Sequence, residues 1–264
     1  MADITHLRYS EPAGAIRIGT AGWSIPKAHA AAFGTEGTHL QRYAAGLDAV
    51  EINSSFYRSH KPDTYARWAA SVPHGFRFAV KMPRAITHEQ ELRDADDLLD
   101  RFLGEIRGLG EKLGPVLVQL PPRLRFDAAT AGRFFAMLRA RHSGLVVCEP
   151  RHPSWFTPST LALLSEFRIA RVAADPPPVP DAAHPGGWAG LIYLRLHGSP
   201  RIYYSAYAPG FLARTAQQLR AAAAGTDEQW CVFDNTALGE ATHDALALKA
   251  RLSGAITATA GSPS

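Results

Sequence analysis

Eight short apolar runs, rich in β-branched and small residues, alternate along the chain with longer stretches patterned as helices. No other feature limits the fold as strongly. The runs fall at residues 16–20, 49–52, 76–80, 116–120, 145–148, 170–174, 191–196 and 230–233. Helical patterns occupy 38–45, 62–71, 89–106, 128–141, 158–166, 211–224 and 241–252. Several carry start signals: Asp63 just inside Pro62, Asp127 before Ala128, and Thr157 before Pro158. Strand–helix alternation implies a parallel sheet. Eight such units in about 250 residues is the arithmetic of a single (β/α)8 barrel, and a doubly wound open sheet, the alternative, usually has fewer strands. One unit is irregular. After strand six comes DPPPVPDAAHPGGW, whose five prolines exclude an ordinary helix. No linker or composition break divides the chain, so the expected organisation is an N-terminal extension (1–15), one barrel domain (16–252) and a disordered tail (253–264).

With 46% hydrophobic and 20% charged residues, the chain has the balance of one that fills a core, not of a disordered one. No apolar run approaches the roughly 18 residues of a membrane span, and the opening MADITHLRYSEPAG lacks an apolar signal core. The expectation is a soluble, cytoplasmic protein without a membrane partner. A net charge of +4 permits an anionic partner without requiring one. The two cysteines, Cys148 and Cys231, sit inside apolar runs without CxxC spacing, so they read as small buried hydrophobes.

The chemistry gathers where the strands end. Strand two runs into Glu51-Ile-Asn53, strand three into Lys81, strand four into Gln119, and strand five into Glu149-Pro-Arg151-His152. Strand six ends at Asp175, strand seven at Arg195-Leu-His197 and strand eight at Asp234-Asn235. In a parallel barrel these ends ring one mouth, where catalytic groups collect from several strands. Alternation places Glu51, Asn53, Lys81, Gln119, Arg195 and His197 on the inward face, with apolar neighbours turned out against the helices. At strand eight the same reasoning turns Asp234 outward.

Mixed charge suggests the reaction. Glu51, Glu149 and Asp175 are candidate acid/base carboxylates, since neighbouring carboxyl groups push their pKa values apart. Lys81 and His197 complete the candidate catalytic set, His197 as the proton-transfer group. Arg151 and Arg195 suit bidentate binding of phosphate or carboxylate. Candidate substrate-binding residues are these two arginines with Asn53, Tyr57, His88, Gln119, His152, Trp155, Tyr204, Tyr207 and Asn235. The aromatic members form a possible stacking wall for planar groups. His88, His152 and His197 with the three carboxylates have the donor types of an N/O metal site. None stands at HExxH spacing, however, and the adjacent cations repel a metal ion. No metal ligand or cofactor is assigned, and a divalent ion stays open. GLGEKLG at 108–114 precedes a strand and lacks dinucleotide spacing, no GxSxG elbow surrounds Ser24, and no GxxxxGK[ST] loop occurs.

The ordered motifs GTAGW (19–23), VEINSSFYR (50–58), FAVKMPRAITH (78–88), QLPP (119–122), EPRHPSW (149–155), RLHG (195–198) and FDNT (233–236) resemble those of the YecE-like family, a domain of unknown function. The resemblance runs from about residue 16 to 252 and implies a TIM-like barrel, without an established reaction. Two positions depart from it: Ala21 stands where the family usually has Ser, and Phe233-Asp234-Asn235 where it has FNN. Ala21 lies on the inward parity and removes a hydroxyl from the mouth. The functional expectation is a hydrolase-type enzyme acting on a small phosphorylated or anionic substrate, with Glu149 or Glu51 as general base. The alternatives are a non-catalytic protein binding nucleic acid or an anionic metabolite, and a glycan-processing barrel that uses Glu51 and Glu149 as its carboxylate pair.

Overall fold

Parallel pairing of the apolar runs builds the molecule, of which the computed structural model describes residues 14–254. Most of the expected N-terminal extension and C-terminal tail, residues 1–13 and 255–264, lies outside the described residues. The first five strands are β1 (Ala15–Ala21), β2 (Ala49–Ile52), β3 (Arg77–Lys81), β4 (Leu113–Gln119) and β5 (Val146–Glu149). The sixth run breaks at Val172 into β6 (Ala170–Arg171) and β7 (Ala173–Asp175). A short β8 (Gly186–Gly187) precedes β9 (Leu191–Leu196) and β10 (Glu228–Phe233). β6 pairs in parallel with β5, while β7 pairs in parallel with β9. The kink at Val172 thus hands the ladder from one neighbour to the next. With β9 on β10, β10 on β1 and β1 on β2, the sheet wraps into the expected TIM-like barrel.

Two apolar layers follow from strand alternation. Inside the barrel, Ala49, Ala79, Leu117, Val147, Val172, Tyr193, Trp230 and Val232 form one cluster. Small Ala49 and Ala79 leave room for the stacked rings of Tyr193 and Trp230, whose centroids are 5.9 Å apart. Outward residues such as Val50, Ile52, Phe78, Val80, Val118, Leu196 and Phe233 join the second cluster with residues of the helix layer. Each buried Val, Leu or Phe of this layer stabilises the fold by about 1.5–3 kcal/mol. At Gly19, paired with Ala49 across β1 and β2, a Cβ would lie 2.2 Å from the Ala49 carbonyl oxygen. Close approach of the two strands therefore requires glycine in the GTAGW stretch.

Eight α-helices cover the described barrel: α1 (His39–Gly46), α2 (Ser54–Tyr57), α3 (Pro62–Ala70), α4 (Asp96–Ile106), α5 (Ala128–Arg141), α6 (Pro158–Glu166), α7 (Pro209–Ala222) and α8 (Glu240–Leu252). The side chains of Asp127 and Thr157 accept hydrogen bonds from the Thr130 and Thr160 amides, capping α5 and α6 as the sequence indicated. One helix is shorter than its pattern. The expected 89–106 helix starts only at Asp96, because Glu91, Leu92 and Asp94 have left-handed backbone (φ 50°, 70° and 44°) that a right-handed helix cannot accommodate. The Pro-rich unit forms no α-helix: a 3-10 turn at Pro180–Ala183 leads into β8, which pairs antiparallel with β6. Among the described residues no helix is long and apolar enough to cross a membrane.

Candidate functional site

The inward parity of five strands delivers seven of the expected residues to one place at the C-terminal end of the barrel. Glu51, Lys81, Gln119, Glu149, Arg151, Arg195 and His197 meet there around the guanidinium of Arg195, whose side chain is 1% exposed. Arg195 Nη2 donates to Glu51 Oε1 at 2.7 Å, and Nε to Glu51 Oε2 at 3.0 Å. Nη1 reaches Glu149 Oε2 at 3.1 Å, and Nη2 also pairs with Asp234 Oδ2 at 3.0 Å. Burial alone would weaken the hold of this arginine on its proton; the Asp234, Glu51 and Glu149 charges reverse that and raise its pKa. One guanidinium thus joins carboxylates from β2 and β5 and from the end of β10.

Both glutamates are saturated. Tyr193 donates its hydroxyl to Glu51 Oε2 at 2.8 Å, so each Glu51 oxygen is engaged, with Arg195 on both. Glu149 Oε1 receives Arg151 Nη2 at 2.7 Å and faces His197 Nε2 at 2.9 Å, while Oε2 receives Gln119 Nε2 at 2.9 Å. Burial raises the Glu149 pKa, but Arg151, Arg195 and His197 outweigh it and hold the carboxyl well below the usual range. These are fixed counter-charges with no lone pair left over. That arrangement does not suit the general-base role expected of them, which needs a lone pair free to take a proton. Nor does it suit a glycosidase pair, which needs one protonated carboxyl group.

Asp234 is the principal correction. Alternation was read as turning it outward, whereas Oδ2 lies 3.0 Å from His197 Nδ1 and from Arg195 Nη2. The phase of β10 is set by Trp230 and Val232, which point into the barrel, so Asp234 does as well. Burial raises its pKa, and Arg195 and His197 bring it below the usual value. His197 is thereby held between Asp234 at Nδ1 and Glu149 with Arg151 at Nε2, and the ring of Tyr203 meets it edge-on at 5.9 Å.

Lys81 differs from its neighbours. It is 8% exposed, and although its carbonyl accepts the Ser55 hydroxyl at 2.7 Å, its amine makes no hydrogen bond or ion pair among the described residues; Nζ sits 4.2 Å from the centre of the Phe56 ring. Burial first, and Arg195 second, push its pKa down to about 8, against the pull of Glu51, Glu149 and Asp234. Arg151 is the other cation with unspent capacity: its side chain is 18% exposed and Nη1 has no partner among the described residues. Where the cluster meets solvent it therefore presents an amine, one guanidinium nitrogen and the Asp234 carboxylate, above a layer of buried ion pairs.

The remaining expected residues are placed differently. His88 stands close, its ring edge-on to Phe56 at 4.9 Å and its pKa lowered to about 4 by burial and by Lys81. Asn53 lines a cleft of about 560 Å³ beside the cluster, shared with Trp23, Arg58, His60 and Trp68. Tyr57 is 73% exposed, and Tyr204 lies at the rim under the Arg201 guanidinium at 3.9 Å. Five belong to the scaffold. Asp175 accepts the Tyr207 hydroxyl at 2.8 Å, and Tyr207 stacks on Phe211 at 4.4 Å. Trp155 is buried, donating to the Leu124 carbonyl. His152 Nδ1 accepts the Ser154 amide, and Asn235 donates to Ser205 O and to Asp244 Oδ2 of α8. The Asp175 carbonyl accepts the His197 amide at 2.7 Å, but neither the Asp175 carboxylate nor the His152 ring hydrogen-bonds a side chain of the cluster, and no three His, Cys, Asp or Glu side chains among the described residues are arranged to hold a metal ion. Tyr193 and Asp234 were missed. Tyr193 shares the alternation of Arg195 and His197, a signal present in the sequence.

Fold and cluster together define a parallel barrel protein with a mixed-charge candidate site at the C-terminal mouth. The chain belongs to the DUF72 family, described as a protein of unknown function, whose family pattern matches residues 17–264. It is 36% identical over 106 residues to UPF0759 protein YecE of Escherichia coli K12, a match covering 40% of this chain and 38% of YecE, less than half of that relative's length. To UPF0759 protein YunF of Bacillus subtilis it is 25% identical over 158 residues, 55% of each chain. Crystal structures of two DUF72 family proteins share the fold. EF0366 of Enterococcus faecalis has a TM-score of 0.76 at 21% identity, over 90% of this chain and 95% of that one. TM1631 of Thermotoga maritima has a TM-score of 0.75 at 23% identity, over 90% and 99%. The resemblance read from the motifs is borne out at the level of family and fold.

Proposed function

We propose that this chain is an enzyme of hydrolase type that acts on a small phosphorylated or otherwise anionic substrate at the C-terminal mouth of the barrel. The observation that carries the reading is the division of labour among the charges. Arg195 hydrogen-bonds the buried carboxylates directly, which leaves the Lys81 amine and Arg151 Nη1 without partners among the described residues. An anion docks on Arg151 through Nη1, its guanidinium nitrogen without a partner among the described residues. The general base moves from the glutamates to Lys81, whose pKa of about 8 keeps part of the amine unprotonated near neutral pH. Asp234 and His197 hold Arg195 and Arg151 in place through their shared hydrogen bonds.

The test is turnover of a panel of small phosphomonoesters, read as phosphate release. Lys81→Met should lower kcat by about 10²–10⁴, the usual worth of a general base, and Arg151→Met should chiefly raise KM. If neither variant changes turnover, or if no ester is cleaved and inorganic phosphate leaves the melting temperature unchanged, the reading fails. A second reading, binding of nucleic acid without chemistry, is favoured by one observation: Arg201, Ile202, Tyr203 and Tyr204 form an exposed aromatic and basic rim. A steep fall of oligonucleotide affinity with salt, abolished by Tyr204→Ala with Arg201→Ala, would select it.

A further inference from the structure

Lysine is scarce here: five of the 28 basic side chains. Lys27 and Lys61 are exposed. Lys112 is spent on the carbonyls of Ala69 and Val72, and Lys249 on that of Gly46. Lys81 alone of the five is buried with a side chain lacking any hydrogen-bond partner among the described residues. Its amine faces three carboxylates that Arg195 already holds, so it gains attraction from them but no contact.

We infer that Lys81 is a nucleophilic amine that forms an imine with a small aldehyde or ketone whose anionic group is held by Arg151. The inference rests on the anion-binding part of the function proposed above and makes the reacting centre a carbonyl carbon. Three features support it. A lysine largely buried beside another cation loses its proton more readily than an ordinary one, the condition for amine nucleophiles. With its pKa at about 8, roughly a tenth of the amine is free at pH 7, against about one part in three thousand for an ordinary lysine. Finally, Asp234 lies on the same face with Oδ2 committed to His197 and Arg195 and Oδ1 without a partner among the described residues.

In the first step Nζ adds to the carbonyl carbon: the C–N bond forms, the C=O π bond opens, and a proton passes from nitrogen to oxygen by way of Asp234. The carbinolamine then loses its hydroxyl, which takes the remaining proton of the nitrogen and leaves as water as the C–O bond breaks and the C=N bond forms. No oxidant or reductant takes part. A compound with a neutral tail lacks the partner for Arg151 and should react more slowly.

Imine trapping tests this on the full chain. The protein is incubated at pH 7 with pyruvate, dihydroxyacetone phosphate or uncharged dihydroxyacetone, reduced with borohydride, digested and weighed peptide by peptide. The expected result is a borohydride-dependent adduct on Lys81, heavier by the carbonyl compound less one oxygen atom, at least tenfold above Lys27 and Lys61. One of the two anionic probes should exceed the neutral one at least tenfold, and Arg151→Met should remove that preference. Lys81→Arg should abolish the adduct while the circular dichroism spectrum is retained. No adduct with any of the three compounds, or equal labelling of Lys81, Lys27 and Lys61, overturns the inference. A phosphate-induced rise in melting temperature of wild type separates the two failures: with it, only the imine is lost; without it, the anion site is lost as well.

Discussion

Replacing Lys81 by methionine should stabilise the protein while lowering the proposed turnover. Folding takes the amine from its ordinary pKa of 10.5 to about 8. At about 1.4 kcal/mol per tenfold change in proton affinity, the charged form costs up to about 3 kcal/mol. Methionine keeps an unbranched stem against Phe56 and carries no charge, so the substitution should recover much of that. For a chain of this size the melting temperature should rise by up to roughly 10 °C. The pH dependence is diagnostic. Below pH 8 folded and unfolded chains both carry the proton, and the full cost is present. Between pH 8 and 10.5 the unfolded chain binds more protons than the folded one, so wild-type stability rises with pH. The advantage of Lys81→Met should therefore be constant below pH 8, shrink above it and vanish near 10.5. Urea unfolding of both proteins from pH 6.5 to 10.5 measures it. A destabilised variant at pH 7, or a difference that does not change with pH, would refute the reasoning.

Glu149→Gln should destabilise by about 3–5 kcal/mol in urea unfolding, because it takes from Arg151 its one carboxylate and from Arg195 one of three inside a buried cluster. Loss of activity without loss of stability would return Glu149 to the role of base. Acid should unfold the chain through the same groups. The folded pKa values of Glu149 and Asp234 lie below their ordinary 4.5 and 3.8, so their contribution is complete above those values and disappears as pH falls below them; circular dichroism from pH 7 to 2 follows it. Tyr207→Phe should cost about 1–3 kcal/mol by leaving the Gly198 amide and Asp175 without the hydroxyl. Calorimetric affinity for phosphate should be unchanged, which separates its scaffold role from the stacking role read from sequence.

The barrel was legible because each strand's apolar pattern is local, and eight repetitions leave few ways to arrange the chain. Five cluster residues, Glu51, Lys81, Gln119, Arg195 and His197, were legible from the same alternation, and Glu149 and Arg151 from their place at the end of a strand. That inference failed at β10. Cys231 and Phe233 are apolar like Trp230 and Val232, so the pattern there carries no phase and only pairing with β1 and β9 sets it. Asp175, Trp155 and Tyr207 were misplaced because their partners, Tyr207, Leu124 and Phe211 among them, come from the loops and helices that follow the strands. Nor does local pattern reveal that Arg195 would engage both glutamates, the contact that leads the proposal to Lys81 instead.

The most direct measurement follows the lysine amines themselves. The five lysines make ¹⁵N-lysine NMR of the intact chain readable, with Lys81→Arg assigning the resonance in question. One Nζ should titrate near pH 8, and inorganic phosphate should move that midpoint upward as an anion beside Lys81 stabilises its charge. Five amines that all titrate above pH 10 and do not respond to phosphate would contradict an uncommitted, anion-binding Lys81 at the barrel mouth.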